Sequence, residues 1–190
     1  MLILASQSPR RRELLAQLGV SFTTLPADID ETVMTAELPD AYVARLAEQK
    51  AAAVRQQVAV SDWVLGSDTA VVIDGQILGK PADEAEFRSM MLRLSGKQHQ
   101  VLTAVALIGQ TGTTLKVVTT DVTFDVLTDA QIHWYWQTSE PKDKAGGYGI
   151  QGLGGQFVKH INGSYSAVVG LPLCETRQLL EQAGVELYEC

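Results

Sequence analysis

The chain predicts an α/β fold, a single domain with a mixed β-sheet flanked by helices. Three observations carry this expectation. Strand-like and helix-like segments intermingle along 190 residues without strict βαβ alternation. Asp74-Gly75 is a strong hairpin turn between two strand-like runs. Hydrophobic residues make up 46% of the chain and charged residues 19%, the balance of a globular domain with a proper core and room for two lobes.

The elements follow in order. Met1 to Leu4 reads as a short apolar strand that leads through a polar turn into a helix. Ser8 is placed as N-cap and Pro9 suits the first helical position, where a missing N–H costs nothing. Leu14, Leu15 and Leu18 face inward, and Gly19 is the stop. Val20 to Leu25 reads as a strand, followed by the acidic loop Asp28-Ile-Asp-Glu31. A long helix runs from Pro39 to about Gln57, with Val43, Leu46, Ala47, Ala51 and Val54 at helical spacing.

Trp63 to Ile73 and Gln76 to Leu78 are strands joined by the hairpin. A helix from Asp83 turns Phe87, Met90, Met91 and Leu94 inward and stops at Gly96. Two strands follow, about His99 to Ile108 and Thr114 to Val126, and Thr128 caps a short helix through Trp136. After a glycine-rich stretch, Ala145 to Gly155, come a strand at Gln156 to Ile161, an Asn162-Gly163 turn, and a final helix from near Pro172 carrying Leu179 and Leu180.

Composition excludes several classes. A net charge of −7 argues against a general nucleic-acid surface. No apolar run approaches bilayer length, and the start does not have the layout of a signal peptide. Cys174 and Cys190 offer neither a disulfide framework nor metal-ligand spacing, so both are expected as reduced thiols in a cytoplasmic protein. His99, His133 and His160 are scattered, each expected to be structural or exposed. Asn162-Gly-Ser164 matches a glycosylation sequon but reads as a turn.

The chemistry starts at Arg10, Arg11 and Arg12. A helix N-terminus is already partly positive and presents unpaired N–H groups, so acids normally belong there. Three arginines make sense if an anion sits at this helix start; the alternative is a basic surface cluster. Asp68 lies in an apolar strand, where a carboxylate is costly unless paired, hydrogen-bonded or bound to a metal. A strand-end residue pointing at solvent satisfies the same segment.

Lys50 shares the inward stripe of its helix, although such a lysine by itself is expected to snorkel outward. Lys80, in Gly79-Lys-Pro81, reads by itself as a solvated loop lysine. Gly147, Gly149 and Gly152 formally spell G-x-G-x-x-G, but a strand follows instead of a helix, so this is no dinucleotide fingerprint. There is no P-loop, no serine elbow and no nucleophilic cysteine motif. Clamping cations with the separated acids Glu31 and Asp68 are the parts of phosphoryl-group chemistry, with water as attacker and a carboxylate as its base.

These segments also resemble a known family. Leu4-Ala-Ser-Gln-Ser-Pro-Arg-Arg11, Gly66-Ser-Asp-Thr69, Gly79-Lys-Pro81, Ser95-Gly96 with His99, Asp143-Lys-Ala-Gly146 with Tyr148-Gly-Ile-Gln-Gly152, and Val169-Gly-Leu-Pro172 occur in this order. Together they look like the Maf family of nucleoside triphosphate pyrophosphatases, across essentially the whole chain. The resemblance implies an elongated fold akin to the inosine triphosphatase group, a cytoplasmic enzyme and commonly a homodimer. It implies a hydrolase that splits a nucleoside triphosphate into monophosphate and pyrophosphate with a divalent cation, Mg²⁺ or Mn²⁺.

By motif, Asp68 would accept the proton of the attacking water, while Ser6, Ser8 and Arg11 hold phosphate. Lys50 and Lys80 would neutralise phosphate charge, and Glu31 would help Asp68 bind or orient the metal. Arg10, Thr69 and Gln151 match the subgroup acting on dTTP and UTP. The 7-methyl-GTP subgroup typically shows Trp, Gln and Glu at those places. A glutamine amide offers one acceptor and one donor, which suits a pyrimidine's adjacent carbonyl and N–H. Gln7, Gln49, Ser67, Gly147 and Ala167 depart from the common pattern without removing a charged catalytic group. The resemblance leaves two rivals: 7-methyl-GTP hydrolysis, and a nucleotide-binding regulator of septum formation.

Overall fold

The computed structural model describes residues 1–110 and 112–188. The elements are β1 (Leu2–Leu4), α1 (Pro9–Ala16), β2 (Phe22–Thr24), α2 (Pro39–Arg55), β3 (Trp63–Ile73), β4 (Gln76–Leu78) and α3 (Glu84–Leu94). They continue as β5 (Gln98–Gly109), β6 (Gly112–Phe124), α4 (Asp129–Gln137), β7 (Val158–Asn162), α5 (Tyr165–Val169) and α6 (Leu173–Gln182). Among the described residues the strands form one sheet in the order β2-β1-β3-β5-β6-β7, with β4 also paired to β3. The sheet is mixed: β1 runs parallel to β2 and β3, whereas β4 and β7 pair antiparallel with β3 and β6.

The chain folds into two compact units. The first comprises residues 1–68, 103–118 and 170–190, the second 69–102 and 119–169. In the first, Leu2 to Leu4 pairs with Trp63 to Leu65, and α2 packs its stripe on Ile3, Ala5 and Val64. In the second, Phe87, Phe124, Tyr135, Tyr148 and Phe157 form an aromatic core with edge-on ring contacts. His99 lies in that core with its Nε2 2.8 Å from the Tyr148 hydroxyl.

Most elements fall where periodicity and caps put them, including β3 and β4 to the residue. Thr128 closes a full capping box with Gln131, which is why α4 starts there. The first helix ends at Ala16, short of Leu18, because Gln17 to Gly19 close as tight turns and Gly19 turns left-handed. The second strand shrinks to three residues, and the expected start of the strand at Gln156 is a 3₁₀ turn, Leu153–Phe157. Further 3₁₀ turns at Glu140–Asp143 and Ala145–Gly147, and α5, were not foreseen. His133 and His160 are exposed and His99 is structural, as expected. Cys174 is a free, exposed thiol, while Cys190 lies outside the described residues.

Candidate active site

The basic helix start is built as its sequence predicts. Ser8 caps α1 by accepting the Arg11 N–H at 3.4 Å, and Ser6 Oγ accepts the Ser8 N–H at 3.1 Å. Each hydroxyl uses its oxygen as acceptor here, which leaves its proton to donate. No acid occupies the first turn of α1. Arg11 Nε donates to the Gly170 carbonyl at 2.8 Å, and Ser67 Oγ donates to the same oxygen at 3.1 Å. Burial pushes the Arg11 guanidinium below its usual value; the charges of Asp68 and Glu31 oppose this, and neighbouring Arg10 reinforces it. Arg11 therefore shares a field with both acids.

A glycine creates the central ion pair. A Cβ at Gly66 would lie 2.2 Å from the Ala47 carbonyl and 2.9 Å from the Ala51 nitrogen, so α2 passes against bare strand backbone. Asp68 sits two residues on, on the same face of β3. That close approach brings Lys50 Nζ to 2.7 Å from Asp68 Oδ1 and 2.7 Å from Glu31 Oε1. Lys50 is 7% exposed and Asp68 6%. The outward lysine expected from its helix alone is thus corrected: an ammonium can be buried when a carboxylate meets it there. The solvent-facing reading of Asp68 falls with it.

Glu31 reaches the pair from a loop that α2 braces. Arg45 forks onto Glu37 at 2.6 and 2.7 Å and also donates to the Thr32 carbonyl at 3.1 Å. Tyr42 donates to the carbonyl of Glu31 itself at 3.0 Å. The Arg45 fork holds the Glu37 carboxyl down at about 2. Burial, then the charges of Asp68 and Glu31, push the Tyr42 phenol up to about 12. Tyr42, Arg45 and Glu37 escaped the reading of the sequence. Their only signal was Tyr42 and Arg45 at i and i+3 on the helix that carries Lys50.

The remaining candidates belong to the second unit. Thr69, next to Asp68 in β3, is half-buried. Lys80 is exposed after β4, beside Gly79, whose carbonyl accepts the Gly146 N–H at 3.0 Å. Gln151 is exposed on a turn closed by the Gly152 N–H on the Gly149 carbonyl.

The donors at Lys50 bear on the expected metal. Glu31 and Asp68 are hard oxygen donors, the kind Mg²⁺ takes one or two at a time while substrate phosphates complete its sphere. Among the described residues no group of three or more His, Cys, Asp or Glu could hold an ion. By donor chemistry the two carboxylates fit such an ion, and here both meet the Lys50 ammonium.

The sequence model of the family described as Maf-like protein matches residues 1–183. The chain belongs to the Maf family. Relatives within it are named dTTP/UTP pyrophosphatase. The one from Colwellia psychrerythraea is 61% identical, over 96% of this chain and 88% of its own. The Pseudoalteromonas atlantica protein is 58% identical over all of both chains. The Vibrio cholerae protein is 54% identical over 95% of this chain and 97% of its own. A solved dITP/XTP pyrophosphatase from Mycobacterium abscessus is 14% identical, with TM-score 0.47 over 96% of this chain and 93% of that one. Among the described residues of this Maf protein, no helix is long and apolar enough to cross a membrane.

Proposed function

We propose that this Maf protein is a nucleoside triphosphate pyrophosphatase that hydrolyses dTTP and UTP to the monophosphate and pyrophosphate. The observation that carries the reading is the buried Asp68–Lys50 ion pair, which the exposed Glu31 also meets, in the same field as the Arg11 guanidinium. The names of the close relatives support the substrates.

In this reading the carboxylate of Asp68 takes a proton from water as the water oxygen bonds to the α-phosphorus. The bond from that phosphorus to the oxygen bridging to the β-phosphate breaks, and pyrophosphate carries off the electron pair. Lys50 orients Asp68 through Oδ1 and neutralises phosphate charge with Lys80. The hydroxyls of Ser6 and Ser8, the N–H groups at the start of α1 and the Arg11 fork hold phosphate oxygens. Glu31 and Asp68 would hold Mg²⁺ or Mn²⁺, whose contribution is to neutralise the triphosphate.

Arg10, Thr69 and Gln151 read the base. The family likeness extends the proposal to a cytoplasmic homodimer, which the mass in solution tests. The proposed partner set holds no nucleic acid, a reading that the net charge of −7 supports.

The test is a panel of nucleoside triphosphates with Mg²⁺ or Mn²⁺ and detection of pyrophosphate. dTTP and UTP turn over ahead of 7-methyl-GTP, and Asp68→Asn lowers kcat about 10³-fold while nucleotide still binds. Orthophosphate as product, preference for 7-methyl-GTP, or full activity in Asp68→Asn would overturn the proposal.

A further inference from the structure

The glycine-rich turn that carries Gln151 is pinned at both ends by one hydroxyl–carboxylate pair. At its start, the Gly149 N–H donates to the Tyr135 hydroxyl at 3.1 Å. That hydroxyl donates to Glu140 Oε1 at 2.7 Å. At the far end, Glu140 accepts the Leu153 N–H at 2.9 Å on Oε2 and the Gly154 N–H at 3.0 Å on Oε1. The pair lies directly beneath the backbone. A Cβ at Gly152 would come within 2.3 Å of Glu140 Oε2, and one at Gly154 within 2.4 Å of the Tyr135 oxygen.

The pair is itself well anchored. Tyr135 is fully buried in the aromatic core, and Lys144 Nζ donates to the Glu140 carbonyl at 2.7 Å. Burial raises the Glu140 carboxyl, but the bonds from Tyr135, Leu153 and Gly154 and the Lys144 charge outweigh it and hold the group below its usual range. A carboxylate this committed to backbone N–H groups does not serve a surface ion pair. It sets the height and orientation of the turn, and Gln151 is the exposed side chain that the turn displays.

We propose that Glu140 and Tyr135 are positioning residues for nucleobase selection, fixing the Gly149–Gly154 backbone so that the Gln151 amide meets the base in one orientation. The proposal rests on the reading of Gln151 as a base-contacting residue. An amide discriminates by presenting its donor and acceptor at set places, so a looser turn weakens both binding and selection.

The test compares Tyr135→Phe, Glu140→Gln, Gln151→Ala and the double variant Tyr135→Phe/Gln151→Ala, each with dTTP and 7-methyl-GTP. Tyr135→Phe and Glu140→Gln each raise KM for dTTP about tenfold with kcat within about twofold, the signature of lost binding that leaves the chemical step intact. Both lower the preference for dTTP over 7-methyl-GTP. In the double variant the two effects do not add, because the clamp works through Gln151.

Wild-type KM and preference in both clamp variants would overturn the proposal, even if melting temperature falls. Full additivity with Gln151→Ala would overturn it too. Should Glu140→Gln not fold, Tyr135→Phe decides the matter, since it keeps the buried ring. Unchanged preference in Gln151→Ala defeats the base reading. Absence of pyrophosphate from dTTP and UTP with wild-type protein defeats the proposed function instead.

Discussion

The two units hold their candidate residues by opposite means. In the first, the side chains hold one another: buried Lys50 lies between buried Asp68 and exposed Glu31, and bare glycine backbone lets Lys50 and Asp68 meet. In the second, Gln151 is exposed and the support lies under its backbone, in Tyr135 and Glu140. The first arrangement fixes charge and geometry together, which suits the role of base that the proposed function gives to Asp68. The second fixes only geometry, which suits selection. Disturbing the first therefore costs stability and turnover at once, whereas disturbing the second shows first in KM.

The largest effect is expected from Lys50→Met. It leaves Asp68 buried without its cation, destabilising the protein by about 4 kcal/mol and abolishing turnover. Urea unfolding and pyrophosphate release read the two losses. Gly66→Ala follows, at about 3 kcal/mol, because its Cβ overlaps the Ala47 carbonyl and pushes α2 off β3. Activity falls with it although no charged group is touched. A stable, active Gly66→Ala protein would break the account of how the ion pair forms.

Titration separates the units more gently. Burial holds His99 down at about 4, below its usual 6.5, so the unfolded chain protonates first. The stability His99 lends is complete above pH 6.5 and is lost as pH falls towards 4, by up to roughly 3 kcal/mol. Unfolding measured across that window should slope in wild type and flatten in His99→Leu.

Glu37 acts in a lower window. Arg45 holds its carboxyl at about 2, below the usual 4.5, so its support for the Glu31 loop persists above pH 4.5 and is lost as pH falls towards 2. In Arg45→Met the Glu37 carboxyl, followed by NMR, returns towards 4.5. A Glu37 titration unmoved by that substitution removes Arg45 as the brace.

Much of the architecture could be read from local pattern. β3, β4, α2, α3 and α4 follow from period, caps and the Asp74-Gly75 turn, because those signals lie within a few residues of where they act. The 3₁₀ turns at Glu140–Asp143 and Leu153–Phe157 could not, since their hydrogen bonds are short-range compromises imposed by packing. The helix start at Ser8 was legible for the same reason as α4. Tyr42, Arg45, Tyr135 and Glu140 were not, because each acts on backbone distant along the chain or across a loop.

By itself, then, the sequence determined most of the strands and helices, the capped start of α1 with its three arginines, and the family. Tertiary structure alone decided the direction of Lys50 and the state of Asp68. Periodicity reports which face of a helix is buried, but the cost of burying a charge depends on whether an opposite charge waits there. That partner lies 18 residues away on a strand, and only the close packing at Gly66 brings it to 2.7 Å.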